Sequence, residues 1–219
     1  GKNDLRLTSR MLRIALPLAF SAYARSALST LEHLLVPRGL KSAGFSADRA
    51  LSGYGTIQGM VMPIISFPAC FLMALSELMI PELTEAQMRG ERAEISRTVR
   101  SLLKKGSGYS LAVALAIFIF ADRLGIAVYS SPEAGHFLRL LAPLIPIMYT
   151  DMLCDGCLKG LGQQMWNMGI NVLDALLGVL LVWRALPVYA LTGYICIIYF
   201  NECLNFALSM LRLRKVIRS

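Results

Sequence analysis

Charge is scarce in this sequence. Of 219 residues only 16% are Asp, Glu, Lys or Arg, while 56% are apolar, and the mean hydropathy is +0.57. An ordinary soluble domain carries about 25% charged residues, so a solvated globular domain is excluded. Histidine is nearly absent: His33 and His136 stand alone, His33 embedded and His136 near a helix end, and neither supports metal chemistry. The five cysteines, Cys70, Cys154, Cys157, Cys196 and Cys203, are odd in number and lie inside apolar runs, which excludes a disulfide framework. Cys154 and Cys157 form a lone CxxC without a second pair or a neighbouring histidine. Small residues that let helices pack closely are the better reading of that pair than a zinc or redox site. There is no Ser/His/Asp grouping, no phosphate-cradling glycine loop and no pair of carboxylates in a water-facing loop, so the chain does not read as an enzyme. No signal peptide is visible. The chain begins at Gly1 rather than Met and is expected to be a fragment or a processed chain.

What is present is a series of long apolar runs. A helix needs roughly 20 mostly apolar residues to cross the hydrocarbon layer, and six segments qualify: about 11–36, 51–80, 107–129, 136–158, 166–186 and 188–211. The predicted fold is an all-α, polytopic transmembrane bundle of about six spans, one unit over residues 1–219. Prolines at 17, 63, 68, 143 and 146 fall within the spans. Kinked helices are expected there, because bundle partners can satisfy the freed backbone groups.

The connection from Arg38 to Arg49 is short and polar, whereas that from about Pro81 to Lys105 is long and charged with both signs. Within the latter, Ile95, Val99 and Leu102 share one helical face and Arg97, Arg100 and Lys104 another, the pattern of an interfacial amphipathic helix. The formal net charge is +8. The basic residues sit at the ends of apolar runs, where they meet anionic lipid head groups, and not along one solvated face with interleaved aromatics as nucleic-acid binding requires. No nucleic-acid partner is expected. With both termini in the cytoplasm, fifteen Lys and Arg fall on the inner side and six on the outer, with Arg25 embedded; the positive-inside rule favours that orientation and places the Pro81–Lys105 connection inside.

Polar residues at depth are the informative ones, since each is costly to insert. In the first span Arg25 and Glu32 are seven apart and share a face with Ser21 and Ser29. Two roles fit: an ion pair that fixes packing, or a cavity that receives an anionic group, to which guanidinium is suited. In the fourth span Asp151, Asp155 and Lys159 follow at four-residue steps; Asp155 then Lys159 is the favourable order for a helical ion pair, and Asp151, lying deeper, is the better candidate to contact a cation or sugar hydroxyls. The fifth span carries Asn167, Asn171 and Asp174, continued by Gly178, and the sixth Asn201, Glu202 and Asn205. Such amides most often bind helices together.

LeuGluHisLeuLeuValProArgGlyLeu (31–40) and TyrGlyThrIleGlnGlyMet (54–60) resemble the second half of SpoVB-like polysaccharide flippases. So do IleProGluLeuThrGluAla (80–86) and MetTyrThrAspMetLeuCysAspGlyCysLeuLysGlyLeuGlyGlnGln (148–164). That group is related to MATE exporters and to the MurJ lipid II flippases. The Glu32–His33 pair departs from the GluGln expected there. The resemblance implies one six-helix lobe of a two-lobe, alternating-access transporter of the bacterial plasma membrane, its N-terminal lobe absent from this chain. The implied substrate is a lipid-linked oligosaccharide or peptidoglycan precursor with a diphosphate head group, in the context of cell-envelope polysaccharide synthesis and sporulation. Candidate substrate-binding residues are Arg25, Ser29, Glu32, Asp151, Asp155, Asn171 and Asn201. No cofactor is expected, Na+ or H+ being candidate coupling ions. The alternatives are a MATE-type cation-coupled multidrug antiporter, which would favour acidic and aromatic residues over arginine in its cavity, a membrane enzyme acting on lipid-linked sugars, and a non-transporting scaffold.

Overall fold

A computed structural model describes the backbone of residues 2–42 and 47–218, and the side chains of residues 11, 15–42 and 48–218. Lys2, Arg6, Arg10 and Arg13, part of the basic set behind the orientation, have their side chains outside the described residues. So does the middle of the Arg38–Arg49 connection, at 43–46.

Among the described residues every regular element is helical. α1 runs Lys2–Ser42 and α2 Ala47–Thr56; a wider π turn, Ile57–Val61, leads into α3, Met62–Arg89. α4 is Arg92–Tyr129 and α5 Pro132–Leu141; a 3₁₀ turn at Ala142–Leu144 joins α5 to α6, Ile145–Gly160, and α7 is Gln164–Arg218. The π turn has a local cause. Pro63 offers no N–H to the carbonyl four residues earlier, and the backbone widens so that the Met62 N–H bonds the Ile57 carbonyl instead. Pro143 and Pro146 bracket the α5–α6 junction in the same way.

Four stretches are long and apolar enough to cross a membrane: Asp48–Arg89, Arg92–Tyr129, Pro132–Gly160 and Gln164–Arg218. The last holds two crossings, because α7 doubles back at Ala190 (φ 48°, ψ −133°). A Cβ added at Gly193 would lie 3.4 Å from the Ala185 carbonyl oxygen, and one at Gly178 would lie 2.9 Å from Asn201 Nδ2; a continuous helix would hold each pair far apart at 1.5 Å per residue. α1, loaded with Arg25, Glu32 and His33, is the most polar of the long helices and lies along α7.

Residues 81–105 differ from expectation. They form no separate interfacial helix but the last turns of α3 and the first of α4, joined at Gly90 and Glu91. Gly90 takes the left-handed conformation (φ 74°) and its N–H closes the end of α3 on Ala86 and Gln87, a glycine C-cap. The face assignment stands: Ile95, Val99 and Leu102 are buried, while Arg97, Arg100 and Lys104 are exposed.

The core runs between α3, α4, α5 and α6, with Leu72, Leu138, Leu144, Ile145 and Leu153 almost inaccessible. Small residues let these helices touch through their backbones. A Cβ at Gly125 of α4 would stand 2.5 Å from the Gly135 nitrogen of α5. Tyrosines tie the bundle across helices: Tyr149 donates to the Ile65 carbonyl at 2.5 Å, Tyr109 to Pro68 at 3.0 Å and Tyr199 to Leu140 at 2.6 Å. All five cysteines are free thiols, Cys154 and Cys157 being buried.

Candidate functional site

Two hydrophilic regions open where α1 meets α7. The first is a cavity of about 470 Å³ lined by Ser21, Arg25, Ser26, Ser29, Thr30 and Asn171, among others. Ser21, Arg25 and Ser29 follow at four-residue steps along α1, with Ser26 and Thr30 one position on, which puts the hydroxyls on one stripe with the guanidinium. Ser21 and Thr30 bond back to their own helix, to the Pro17 and Ser26 carbonyls, a habit of hydroxyls in spans. Arg25 is exposed and has no ion-pair partner within 4 Å among the described residues. Its charge nonetheless reaches Asp155 and Asp174. Neither an Arg25–Glu32 pair nor an interhelical ion pair of Arg25 within 4 Å is formed among the described residues.

The second region is narrower, about 220 Å³, and is walled by Glu32, His33, Tyr54, Gln58, Asp174, Asn201 and Glu202 with Tyr194. Glu32 Oε2 and Asn201 Nδ2 converge on the bare backbone of Gly178, 3.3 and 2.9 Å from where a Cβ would sit. Gln58 donates to Tyr194 Oη at 2.5 Å, His33 Nδ1 and Tyr54 Oη share a hydrogen bond of 3.2 Å, and the Tyr54 and Tyr194 rings meet edge to face at 5.1 Å. Arg25 and Glu32 thus face the same side of α1 but open into different cavities.

Between α6 and α7 the polar stripe continues inward. Asp151, only 6% exposed, accepts from Asn205 Nδ2 at 3.0 Å, and Asp155 accepts from Ser209 Oγ at 3.5 Å. Lys159 is exposed and makes no ion pair within 4 Å among the described residues; serine takes the place expected for lysine beside Asp155. Asn171 Nδ2 donates to the Asn167 carbonyl at 2.9 Å. One oxygen each of Asp151, Asp174, Asn201 and Asn205 is buried without a hydrogen-bond partner. Leaving such atoms unpaired costs about 1–3 kcal/mol each. The arrangement is chemically primed: carboxylates and amide oxygens point inward with spare lone pairs and can accept a proton, a cation or a donor group.

Of the sequence-predicted residues, Arg25, Ser29 and Asn171 come together in the wider cavity and Glu32 and Asn201 in the narrower one. Asp151 and Asp155 line neither of these two cavities and lie in the α6–α7 seam beside Asn205 and Ser209. Sequence reasoning did not single out Tyr54, Gln58 and Tyr194. Tyr54 and Gln58 are four apart, one turn, and that spacing next to the Glu32–His33 pair is the signal that could have drawn attention. Asp174 and Glu202, which the sequence pattern reads as helix adhesion, both face the narrow cavity among the described residues.

Long apolar helices packed around a polar seam describe a polytopic membrane bundle. The chain belongs to the MatE family, whose model matches residues 42–183. That stretch contains Asp151, Asp155, Asn171 and Asp174 but neither Arg25 nor Asn201. Two curated relatives come from Bacillus subtilis (strain 168). Sporulation protein YkvU is 28% identical over 153 residues, covering 70% of this chain and 34% of the relative. Stage V sporulation protein B is 24% identical over 183 residues, covering 82% and 34%. The chain therefore spans about a third of the length of the curated relatives it matches. No solved structure gives a significant match.

Proposed function

We propose that this chain is the C-terminal lobe of a two-lobe flippase that carries a lipid-linked oligosaccharide or peptidoglycan precursor across the bacterial plasma membrane by alternating access. One observation carries the reading: Arg25, midway along the 41-residue α1, is exposed into a hydroxyl-lined cavity and has no ion-pair partner among the described residues. Holding an arginine at mid-membrane costs roughly 2.5–3.5 kcal/mol on insertion scales. An interaction that offsets that cost in a working cycle is a diphosphate head group, whose oxygens match the planar donor fork. Ser29 and Asn171 would hydrogen-bond the same head group or its first sugar. The N-terminal lobe absent from this chain would supply the opposite wall. Both termini of this segment would lie in the cytoplasm, with membrane lipid around the outer face.

The seam of Glu32, Asp151, Asp155, Asp174, Asn201 and Glu202 would serve coupling to Na+ or H+. Glu32, Asp174 and Glu202 line the narrow cavity together, and Asp151 and Asp155 lie apart from them between α6 and α7. Asp155 and Asp174 lie within electrostatic reach of Arg25, so a change in their charge would alter its affinity for an anion. A second reading, a cation-coupled multidrug antiporter, is favoured by the narrow cavity, where acids meet Tyr54 and Tyr194. The two readings part at Arg25. Arg25→Ala should abolish complementation of a flippase-deficient strain while the protein's membrane level stays within about twofold of the parent; full complementation by the variant would refute the flippase reading and leave the antiporter.

A further inference from the structure

The end of the bundle where α3 stops, α4 begins and α7 finishes carries a feature the transport site does not use. A cavity of about 390 Å³ there is walled by Arg92, Arg212 and Lys215, together with Gln87, Gly90 and Gln163 and a few apolar side chains; among its described lining residues three are cations and none is an acid. Glu91 and Glu94, in the same turn as Arg92, do not line it.

The three cations are held differently. Arg212 is fixed: its Nε and Nη2 both donate to Gln163 Oε1, at 3.1 and 2.6 Å, and its guanidinium lies 4.6 Å over the Trp166 ring. Arg92 and Lys215 make no side-chain hydrogen bond or ion pair among the described residues. Arg92 is also the first residue of a 38-residue helix whose N-cap, Glu91, gives no side-chain cap bond. Three like charges around one concavity repel each other until an anion enters.

We infer that this cavity is a binding site for the phosphate of an anionic membrane lipid such as phosphatidylglycerol. Its position selects the lipid over a soluble phosphate. The cavity sits at helix ends, beside a tryptophan of the kind that marks the head-group level, and the half-buried Ile217 in its wall offers an acyl chain a surface that inorganic phosphate cannot use.

The test takes the detergent-solubilised protein and titrates it with dioleoyl-phosphatidylglycerol, dioleoyl-phosphatidylcholine and inorganic phosphate, reading thermal stability and, by native mass spectrometry, lipids retained. Phosphatidylglycerol should stabilise and stay bound where phosphatidylcholine does not. The double variant Arg92→Gln, Lys215→Gln should weaken that preference about tenfold or more, since a basic residue near a lipid surface contributes roughly a factor of five. The double variant Arg97→Gln, Arg100→Gln removes the same charge from exposed positions of the same helix and should keep the preference. Equal effects of the two lipids, an unchanged preference in the Arg92/Lys215 variant, or an equal loss in both variants would overturn the site. Stabilisation by inorganic phosphate alone, at concentrations matching the lipid, would overturn the lipid assignment. If the Arg92/Lys215 double variant does not fold, the pair Arg92→Lys, Lys215→Arg must keep the preference for the proposal to stand.

Discussion

The helix pairing between α4 and α5 rests on two glycines, and that can be broken with a single methyl group. A Cβ on Gly125 would stand 2.5 Å from the Gly135 nitrogen, 2.7 Å from the Ser131 carbonyl oxygen and 2.9 Å from the Gly135 Cα. All three are backbone atoms, so no side chain can rotate away; the helices must separate. Overpacking a tight site costs typically 1–3 kcal/mol, and a wedge against backbone belongs at the top of that range, about 3 kcal/mol. Gly108 supplies the control. It lies in the same helix with nothing within 4 Å of its would-be Cβ, so Gly108→Ala should be neutral or stabilise by up to about 1 kcal/mol through helix propensity. The assay is reversible unfolding in mixed dodecylmaltoside–SDS micelles followed by far-UV circular dichroism. A midpoint for Gly125→Ala within error of that for Gly108→Ala would refute the close approach. Gly135→Ala attacks the same contact from the other side, 2.8 Å from the Asp122 Cα. Because one wedge already parts the helices, the double variant should cost clearly less than the sum of the two singles.

Three further outcomes follow from other parts of the bundle. Tyr149→Phe deletes the buried bond to the Ile65 carbonyl and should cost about 1–1.5 kcal/mol in the same titration; unchanged stability would mean that the carbonyl is satisfied otherwise. Asp174→Asn should leave stability level or raise it by about 1 kcal/mol, because it removes a charge whose Oδ1 has no partner, while transport by the complete protein is lost; a destabilised variant that still transports would make the seam a packing device. A single cysteine placed by Glu91→Cys, with Cys70, Cys196 and Cys203 changed to Ser, should escape membrane-impermeant maleimide added to intact cells and react after permeabilisation. Labelling in intact cells would reverse the proposed orientation.

The spans were legible because a helix that meets hydrocarbon must be apolar for about 20 residues, a constraint visible in any single sequence. Their ends were not, since beyond the hydrocarbon a helix continues on backbone hydrogen bonding alone. Ile95, Val99 and Leu102 recur at the spacing of a helix whether it lies flat on the membrane or stands upright as the foot of α4, and periodicity reports the face without the axis. The same distinction explains the site. Seven residues bring α1 round almost to its starting angle, so Arg25 and Glu32 were placed correctly on one face, yet they also separate the two by about 10 Å along the axis, enough to open them into different cavities. Asn171 and Asp174 on one stripe and Asn201 and Glu202 on another read as adhesive amides because each stripe was considered alone. Their meaning depends on the reversal at Ala190, which no glycine marks; only Pro187 and Gly193 bracket it. Once α7 folds there, Asp174 and Glu202 line one cavity with Glu32, and spare oxygens of Asp174 and Asn201 are left buried without a partner. Asn205 still joins α7 to α6 through Asp151, as an adhesive amide does, so adhesion and spare acceptors occur in one seam, and only the loss of transport without loss of stability in Asp174→Asn separates the two roles.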